Sequence, residues 1–251
     1  MKKYPLVNII ITTTDQFNYV GECLKSVLSA NYKNVRIYLI DNNSNKEKYL
    51  DFFSSYKRHK KIKFFRLSKR KGFGGTCNFA IKKIKRGYIV LLNDDTIVSK
   101  NWLNPIISYM QKHPEVGSCQ PKIRNMRKKA HFEYAGAAGG FMDVYGYPFC
   151  RGRIFYTNER DRGQYDDEVD VVWTSGNCFV SKVSVFKKVG LLDEKFYIYQ
   201  DEADLCWRMH NYNYRMVYIP KSVVYHYGSG TFGKINPFKI YLHHRKFLKV
   251  C

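Results

Sequence analysis

The stretch YIVLLNDD, residues 88–95, decides the fold. Its first part, residues 88–92, is an uninterrupted apolar run, which at this length is typical of a strand buried on both faces of a sheet. The run ends in an amide and two carboxylates, Asn93, Asp94 and Asp95. In parallel sheets covered by helices, ligands bind beyond the carboxyl ends of the strands. The stretch therefore predicts a buried strand that carries adjacent acidic side chains into a ligand site.

Strand and helix patterns alternate before this stretch. Apolar, β-branched segments and apolar residues at helical spacing predict strands at 6–12, 35–40 and 62–67 and helices at 20–30 and 72–85. This alternation predicts an α/β fold, with a mostly parallel central sheet flanked by helices. The second strand ends in a polar turn, residues 41–44, which we expect to cap the next helix. Asp41 should then lie at the same edge of the sheet as Asp94 and Asp95.

The alternation breaks down after about Val116. Residues 122–162 are rich in Gly, Tyr and Arg, and they predict a loop-rich lobe with short strands. The remaining patterns predict strands at 169–173, 177–180, 215–219 and 223–226 and helices at 182–189 and 199–210. An aromatic, basic tail follows at 237–250. Because no repeat or low-complexity linker interrupts the chain, we expect residues 1–251 to form a single domain.

The chain is strongly basic, with a formal net charge of +22. Basic residues concentrate at 57–71 and 124–129. This favours a polyanionic partner such as a nucleotide or an acidic membrane, although a lysine-rich solvated surface explains the charge equally well. The acidic turns and the lack of a recognisable binding motif argue against a nucleic-acid partner.

Cysteine usage and hydropathy indicate a location. The seven cysteines are odd in number and none has CxxC spacing, which argues for free thiols in a reducing cytoplasm. The sequence has neither a signal-peptide pattern nor an apolar run of ~18 residues, the length that spans a membrane. We expect a cytoplasmic protein, and the tail suggests peripheral contact with the acidic inner face of the cell membrane.

Three positions in the sequence carry acidic or imidazole side chains that could bind a metal or transfer a proton. Asp94 and Asp95 supply hard oxygen ligands suited to Mg²⁺ or Mn²⁺, although a helix cap or a solvated turn would also account for them. Asp201 and Glu202 begin an amphipathic helix; either could be a general base, while the helix dipole alone also favours acids there. His226 follows a strand, and close to the two aspartates it becomes a candidate metal ligand. Within the same helix, Asp204 and Arg208 are spaced for an ion pair.

The glycine-rich segment GFGGTCN, residues 72–78, opens a predicted helix. Glycines there allow backbone N–H groups to approach a phosphate, although an ordinary strand-to-helix turn would look the same. The segment lacks the GKS/T of a Walker A loop and does not follow the first strand as a GxGxxG motif would. Dehydrogenase and P-loop functions are therefore disfavoured.

Taken in order, these segments resemble the inverting family 2 glycosyltransferases with the GT-A, or nucleotide-diphospho-sugar transferase, fold. The resemblance runs from about Val7 to His226 and rests on ordered motifs: LIDNNS at 39–44, KGFGGTCN at 71–78, NDD at 93–95, WTSG at 173–176, GLLDE at 190–194 and DEADLCWR at 201–208. It implies a metal-dependent hexosyltransferase that moves a sugar from a nucleotide diphosphate, UDP or dTDP being favoured, to a hydroxyl of a saccharide or lipid-linked saccharide. The implied setting is bacterial cell-surface polysaccharide or glycolipid synthesis.

The resemblance also implies residue roles. Residues 1–115 would bind the nucleotide sugar, residues 116–230 would bind the acceptor and carry the catalytic group, and residues 231–251 would be a tail. Asp95 and His226 would hold Mn²⁺ or Mg²⁺, and the base would be Glu202 or Asp201. The remaining implied contacts are Thr12, Asp15, Asp41, Gly72, Asn78, Asn93 and Asp94 for the donor and Trp173, Ser175 and Gly176 for the acceptor.

The sequence departs from the family pattern at three places. The usual Glu-Asp order is reversed in Asp201-Glu202, which puts Glu202 at the position of the base. Asp15 stands where Asn is common, and Cys77 stands where Arg is common, so Lys69, Arg70 or Lys71 would have to supply the phosphate contact. The alternative functions are a nucleotidyltransferase that acts on a sugar phosphate, a basic nucleic-acid-binding module and a non-catalytic member of the family.

Overall fold

The computed structural model describes residues 4–196 and 199–228. The strands are β1 (Val7–Thr13), β2 (Val35–Asp41), β3 (Ile62–Arg66), β4 (Tyr88–Asn93), β5 (Thr96–Val98), β6 (Val116–Asn125), β7 (Gly140–Met142), β8 (Pro148–Cys150), β9 (Arg153–Ile154), β10 (Thr157–Asn158), β11 (Val169–Val171), β12 (Cys178–Lys182) and β13 (Arg215–His226). The helices are α1 (Phe17–Ser29), α2 (Lys46–Tyr56), α3 (Phe73–Ile81), α4 (Leu103–Lys112), α5 (Val183–Val189) and α6 (Asp201–Asn211), with a short 3₁₀ helix at Glu194–Phe196.

A nine-stranded sheet in the order β11-β13-β6-β12-β4-β1-β2-β3 forms the centre of the fold, and β5 pairs with β13. Strands β4, β1, β2 and β3 are mutually parallel, as are β6 and β13, whereas β12 joins the two groups antiparallel to both neighbours. The α/β architecture predicted from the sequence is confirmed. The register pairs Thr12 with Asn93 and Thr13 with Asp41, so these strand ends share one edge.

Helices cover both faces of the sheet, which explains the uninterrupted apolar strands. Alternate residues of β1 belong to two buried clusters: Ile9 and Ile11 pack with α1 and α4, while Ile10 packs with α3, α5 and α6. A strand buried on both faces has no polar face and therefore no hydrophobic alternation.

The second half contains more regular structure than the sequence predicted. Strand β6 runs through the start of the expected loop-rich lobe, and the two expected strands at 215–219 and 223–226 are one strand, β13. The register of β13 shifts where Ile219 faces Pro121 and Val223 faces Lys122. Pro220 lies at this shift. Proline lacks an N–H donor, so within a strand it is tolerated at a bulge. The interruption of the apolar pattern at residues 220–222 therefore marks a bulge within β13.

Two smaller predictions are also corrected. The N-cap of α2 is Asn45, whose side chain accepts hydrogen bonds from the backbone N–H groups of Glu47 and Lys48, and it lies just after the expected capping turn at 41–44. Helix α4 follows β5 and was not predicted. Residues 231–251, including the aromatic, basic tail, lie outside the described residues.

Six of the seven cysteines lie within the described residues. Cys23, Cys77, Cys119, Cys150, Cys178 and Cys206 are free and buried. Across residues 4–196 and 199–228, none of the helices combines the length and the apolar character that crossing a membrane requires.

Candidate functional site

A cavity of about 630 Å³ lies at the carboxyl ends of the parallel strands. Among the residues predicted for the site, its lining includes Thr12, Gly72, Asn93, Asp94, Asp95, Trp173, Ser175, Gly176, Asp201, Glu202 and His226. These residues come from six separate parts of the chain, and the sheet and α6 bring them together. The volume is in the range of small-molecule sites.

Strand pairing explains how His226 meets the acidic turn. Strand β13 runs antiparallel to β5 with His226 opposite Thr96, so the imidazole lies beside Asp95. The distance from His226 Nε2 to Asp95 Oδ1 is 2.9 Å, and both residues are buried. Asn93 is held beside them, because its amide donates to Asn177 Oδ1 at 2.8 Å.

The electrostatics of this cluster follow from burial and proximity. Burial and the neighbouring carboxylate of Asp95 raise the pKa of Asp94 to about 7, as expected for adjacent acids removed from water. Burial opposes ionisation of Asp95, but the His226 ring outweighs burial and lowers the pKa of Asp95. For His226, burial favours the neutral ring, but Asp95 and Glu133 outweigh it and raise the pKa to about 10.

Glu133 is a member of this cluster that the sequence analysis missed. It is buried, and its Oε2 lies 3.5 Å from His226 Nδ1, on the side of the ring away from Asp95. The same oxygen accepts the backbone N–H of Ala135 at 2.6 Å. Gly228, at φ +64°, allows this packing because a Cβ there would lie 2.7 Å from Glu133 Oε1. No sequence motif surrounds Glu133, so only the folded chain reveals its place.

Asp201 and Glu202 enter the cavity at the start of α6. The turn before them is unusual, because Tyr199 and Gln200 both have positive φ, at 67° and 64°. Such consecutive left-handed residues are costly and recur at functional sites. Asp201 is almost fully buried, whereas Glu202 is more exposed and its Oε1 lies 3.4 Å from the backbone nitrogen of Gly176.

The far end of α6 is held by Arg208. It forms the expected ion pair with Asp204 at 2.7 Å. The same guanidinium donates to the carbonyl oxygens of Val189 and Leu191, at 3.0 and 2.8 Å. Arg208 therefore fixes α6 against the segment that precedes it, and with it the position of the two acids.

The segment with Trp173 forms the opposite wall. The Trp173 indole donates to the carbonyl oxygen of Phe141 at 2.9 Å, which orients the ring. Its ring packs directly on Gly140, where an added Cβ would lie 2.3 Å from ring carbons. The backbone N–H of Ser175 is held by Gln120 Oε1 at 2.8 Å.

The loop before α3 is tied to β2 by Asn42, which also lines the cavity. The Asn42 amide donates to the carbonyl oxygen of Lys71 and accepts from the Lys71 N–H, both at 2.8 Å. This places Lys71 and Gly72 on the cavity wall, together with Arg70. Lys69, the third candidate for a phosphate contact, is not among the lining residues. Asn42 belongs to the polar turn flagged in the sequence, but the sequence did not indicate its role.

Three predicted donor contacts do not line the cavity: Asp15, Asp41 and Asn78. Asp15 accepts from the backbone of Asn45 and pairs with Arg70 at 2.7 Å. Asp41 is buried and pairs with Arg66 at 2.9 Å. Asn78 binds the backbone of Leu192. In this structure their side chains hold loops around the cavity, and their contacts with a donor remain predictions.

Residues 8–190 match the model of the family described as glycosyl transferase family 2. The chain belongs to glycosyl transferase family 2. The match covers most of the chain, including the acidic turn after β4 and the segment with Trp173, and it confirms the resemblance seen in the sequence.

Two bacterial proteins are among the curated relatives of this family 2 chain. An N-acetylglucosaminyl-diphospho-decaprenol L-rhamnosyltransferase of Mycobacterium tuberculosis is 25% identical over 63% of the chain and 52% of its own length. A poly-beta-1,6-N-acetyl-D-glucosamine synthase of Staphylococcus epidermidis is 24% identical over 86% of the chain and 48% of its own length. The chain therefore spans about half the length of these relatives.

Solved structures show the fold. GalNAc-T7, solved with UDP, GalNAc and Mn²⁺, superposes with a TM-score of 0.71 at 17% identity, covering 90% of this chain and 44% of that one. TarS 1-349 of S. aureus, solved with UDP-GlcNAc, gives 0.65 at 14% identity, covering 98% and 66%. The family 2 chain has the GT-A fold of these transferases.

Proposed function

We propose that this family 2 chain transfers a sugar from a nucleoside diphosphate donor to an acceptor hydroxyl, with inversion at the anomeric carbon. The convergence of Asp95, His226 and Glu202 on one cavity carries this proposal. The three residues lie far apart in the sequence; Asp95 and His226 can bind a cation, and Glu202 can accept a proton. UDP- and dTDP-sugars are the favoured donors. The bacterial relatives support a place in cell-surface polysaccharide or glycolipid synthesis.

The residues present fit a divalent cation. Asp95 Oδ1 and His226 Nε2 are 2.9 Å apart, and a carboxylate oxygen beside an imidazole nitrogen is a donor pair that suits Mn²⁺ or Mg²⁺. Within the described residues, no group of three or more His, Cys, Asp or Glu side chains is arranged to hold a metal ion, so a cation here would take Asp95 and His226 as its two protein ligands. Mn²⁺ or Mg²⁺ held by two protein ligands would keep positions open for phosphate oxygens. When bound, the cation supplies positive charge that offsets the charge of the departing diphosphate.

The donor would occupy the side of the cavity formed by β1, β4 and the loop before α3. Thr12, Asn93 and Asp94 lie at the strand ends, and Lys71 and Gly72 also line the cavity. Lys71 and the backbone N–H groups near Gly72 suit phosphate oxygens. Cys77 stands where arginine is common in the family, but it is buried and does not line the cavity. Arg70 does line the cavity and would supply part of the missing phosphate contact.

Glu202 is the better candidate for the base, because it is more exposed to the cavity than Asp201. Its carboxylate would accept the proton of the acceptor hydroxyl as that oxygen attacks the anomeric carbon. The bond from the anomeric carbon to the diphosphate breaks on the opposite face, and the nucleoside diphosphate leaves with the electron pair. Trp173, Ser175 and Gly176 would position the acceptor beside Glu202.

The acceptor is proposed to be a saccharide or a lipid-linked saccharide. The M. tuberculosis relative is named for a diphospho-decaprenol substrate, which supports an acceptor carried on a membrane lipid. Peripheral contact with the acidic inner face of the membrane would bring the cavity to such an acceptor, and the net charge of +22 supports this.

The test is a donor screen by thermal shift, using UDP-, GDP- and dTDP-sugars with and without Mn²⁺. We expect one donor class to raise the melting temperature only with the metal, and Asp95→Asn to abolish that rise. Asp51→Asn, which alters an exposed aspartate of α2, is the matched control and should behave like the native chain. Stabilisation by a donor that persists in Asp95→Asn would refute the metal site.

A further inference from the structure

The most exposed apolar side chains of the described residues lie close together in sequence. Five of them exceed 60% exposure, and all five fall within residues 144–156. These tip residues are Val144 at 94%, Tyr145 at 78%, Ile154 at 63%, Phe155 at 86% and Tyr156 at 90%. Isolated exposed apolar residues need no explanation, but a cluster of large ones marks an interaction site.

Four of the tip residues occupy the turns of two successive hairpins, and the fifth, Ile154, ends the strand that leads into the second turn. Strands β7 and β8 form the first hairpin, whose turn is shaped by Asp143, since its carboxylate accepts the N–H groups of Tyr145 and Tyr147. Strands β9 and β10 form the second, and its turn consists of Phe155 and Tyr156 alone. The tip residues therefore project from the protein on short, defined supports.

The second turn is costly for the isolated chain. Phe155 has φ +49°, a left-handed conformation that Asn and Gly adopt readily and a bulky aromatic residue does not. Two large rings are also left in water at the turn. Neither the left-handed backbone of Phe155 nor the two exposed rings stabilise the hairpin. Backbone strain of this kind clusters at functional sites.

Both hairpins contribute residues to the candidate active site. Pro148 and Cys150 of the first and Arg153 of the second line its cavity. The Arg153 guanidinium lies 4.0 Å from the Tyr134 ring centre and donates to the Tyr134 carbonyl oxygen at 3.0 Å. Among the residues that the structure describes, no carboxylate forms an ion pair with Arg153, whereas nearby Arg151 pairs with Asp167.

Further positive charge lies beside the second hairpin. Residues 126–130 form a loop that is joined to the segment after β10, because the N–H of Asp161 donates to the carbonyl oxygen of Ala130 at 2.8 Å. Arg127, Lys128 and Lys129 of this loop are exposed. Exposed apolar turns, with basic side chains joined to the base of the second hairpin, match the interface of an anionic bilayer, where aromatic rings lie among the headgroups and cations meet lipid phosphates.

We propose that the tip residues insert into the interface of an anionic lipid bilayer and hold the mouth of the cavity against it. The tip residues enter the headgroup region, and Arg153 lies at the level of the phosphates. Docking of this kind would bring the cavity to a lipid-linked acceptor in the bilayer, and in that respect the proposal rests on the proposed function.

The test is co-sedimentation of the 251-residue chain with vesicles of phosphatidylglycerol and phosphatidylcholine or of phosphatidylcholine alone. The variant Phe155→Asn/Tyr156→Gly removes both rings and installs residues that favour a two-residue turn. We expect this variant to keep the native melting temperature and to bind the anionic vesicles roughly tenfold more weakly. High salt should weaken binding of the native chain as well. Leu50→Asn, which removes a half-exposed apolar side chain of α2, is the matched control.

Three outcomes would overturn the proposal: no binding of the native chain to anionic vesicles, an equal loss in Leu50→Asn, or self-association that the double variant abolishes while vesicle binding is unchanged. The Mn²⁺-dependent thermal shift with nucleotide sugars is measured on the same proteins. We expect it to be unaltered in the double variant. Vesicle binding without any donor response would count against the proposed sugar transfer and not against membrane docking.

Discussion

At the scale of single residues, Glu133 is the clearest candidate for a positioning residue. It contacts His226 Nδ1, while Asp95 contacts the opposite nitrogen, so the two carboxylates fix the plane of the ring. Carboxylates that orient a metal-binding histidine in this way commonly change metal affinity 10- to 100-fold when they are removed. We predict that Glu133→Ala weakens Mn²⁺ binding by at least roughly tenfold, measured by titration calorimetry in the presence of UDP.

Glu133→Gln is the conservative partner of that variant, because its amide oxygen can still accept from the ring or from Ala135. It should recover part of the affinity. Equal Mn²⁺ affinity in the native chain and in Glu133→Ala, with the fold intact by circular dichroism, would show that Glu133 has no influence on the metal site.

The adjacent acids of α6 differ in exposure, and this separates their expected effects. Glu202 faces the cavity near Gly176, whereas Asp201 is buried at the first turn. We predict that Glu202→Gln lowers kcat by about 10²- to 10⁴-fold, the usual contribution of a general base, with little change in KM for the donor. Asp201→Asn should retain more activity. A larger loss of kcat in Asp201→Asn, in steady-state transfer assays of equally folded proteins, would reverse the assignment.

At the scale of elements, Asn78 joins α3 to the segment that leads into α6. Its amide donates to the carbonyl oxygen of Leu192 at 2.8 Å and accepts from the Leu192 N–H at 3.2 Å. Removing it leaves two buried backbone groups unpaired, at about 1–3 kcal/mol each. We predict that Asn78→Ala lowers the free energy of unfolding by ~2–6 kcal/mol in urea denaturation. Asn211→Ala, at an exposed position at the end of α6, should change it by less than about 0.5 kcal/mol.

The same scale shows why the first half of the fold was predictable and much of the second was not. Strands β1 to β4 are apolar and separated by single helices, so local periodicity identifies them. Strand β6 contains Gln120 and Lys122, which are buried only because Gly136, Ser175 and Asp161 satisfy them from elsewhere in the chain. The local periodicity of a sequence contains no information about partners so distant along the chain. The polar residues of β6 therefore resembled those of a loop.

The sequence allowed a prediction only of those site residues that belong to a recognisable motif or end a predicted strand. Asp95 and His226 follow apolar strands, and their meeting depends only on the ends of two strands in one sheet. Glu133 lies in a segment with neither motif nor periodicity, and the antiparallel register of β5 and β13 puts His226 within its reach. Asp15, Asp41 and Asn78 matched family positions, but sequence similarity could not show that loop contacts occupy their side chains.

At the scale of the whole molecule, the sheet makes the two halves of the chain interdependent. Strand β12, from the second half, is inserted between β4 and β6 and pairs with both. One buried cluster combines Ile9 and Trp102 of the first half with Cys178 and Val217 of the second. Neither half can therefore bury its apolar surface alone, and the cavity exists only when both are folded.

We therefore predict a single cooperative unfolding transition for the chain, as expected when one core is shared. Far-ultraviolet circular dichroism, which follows the backbone, and tryptophan fluorescence should give coincident urea curves. The fluorescence reports on both halves, since Trp102 is buried in the first and Trp173 lies at the cavity in the second. Asn78→Ala should shift both curves together, because the contact it removes spans the halves. Two separated transitions, or a shift in one curve alone, would mean that the halves are independent domains and that the cavity lies at a hinge.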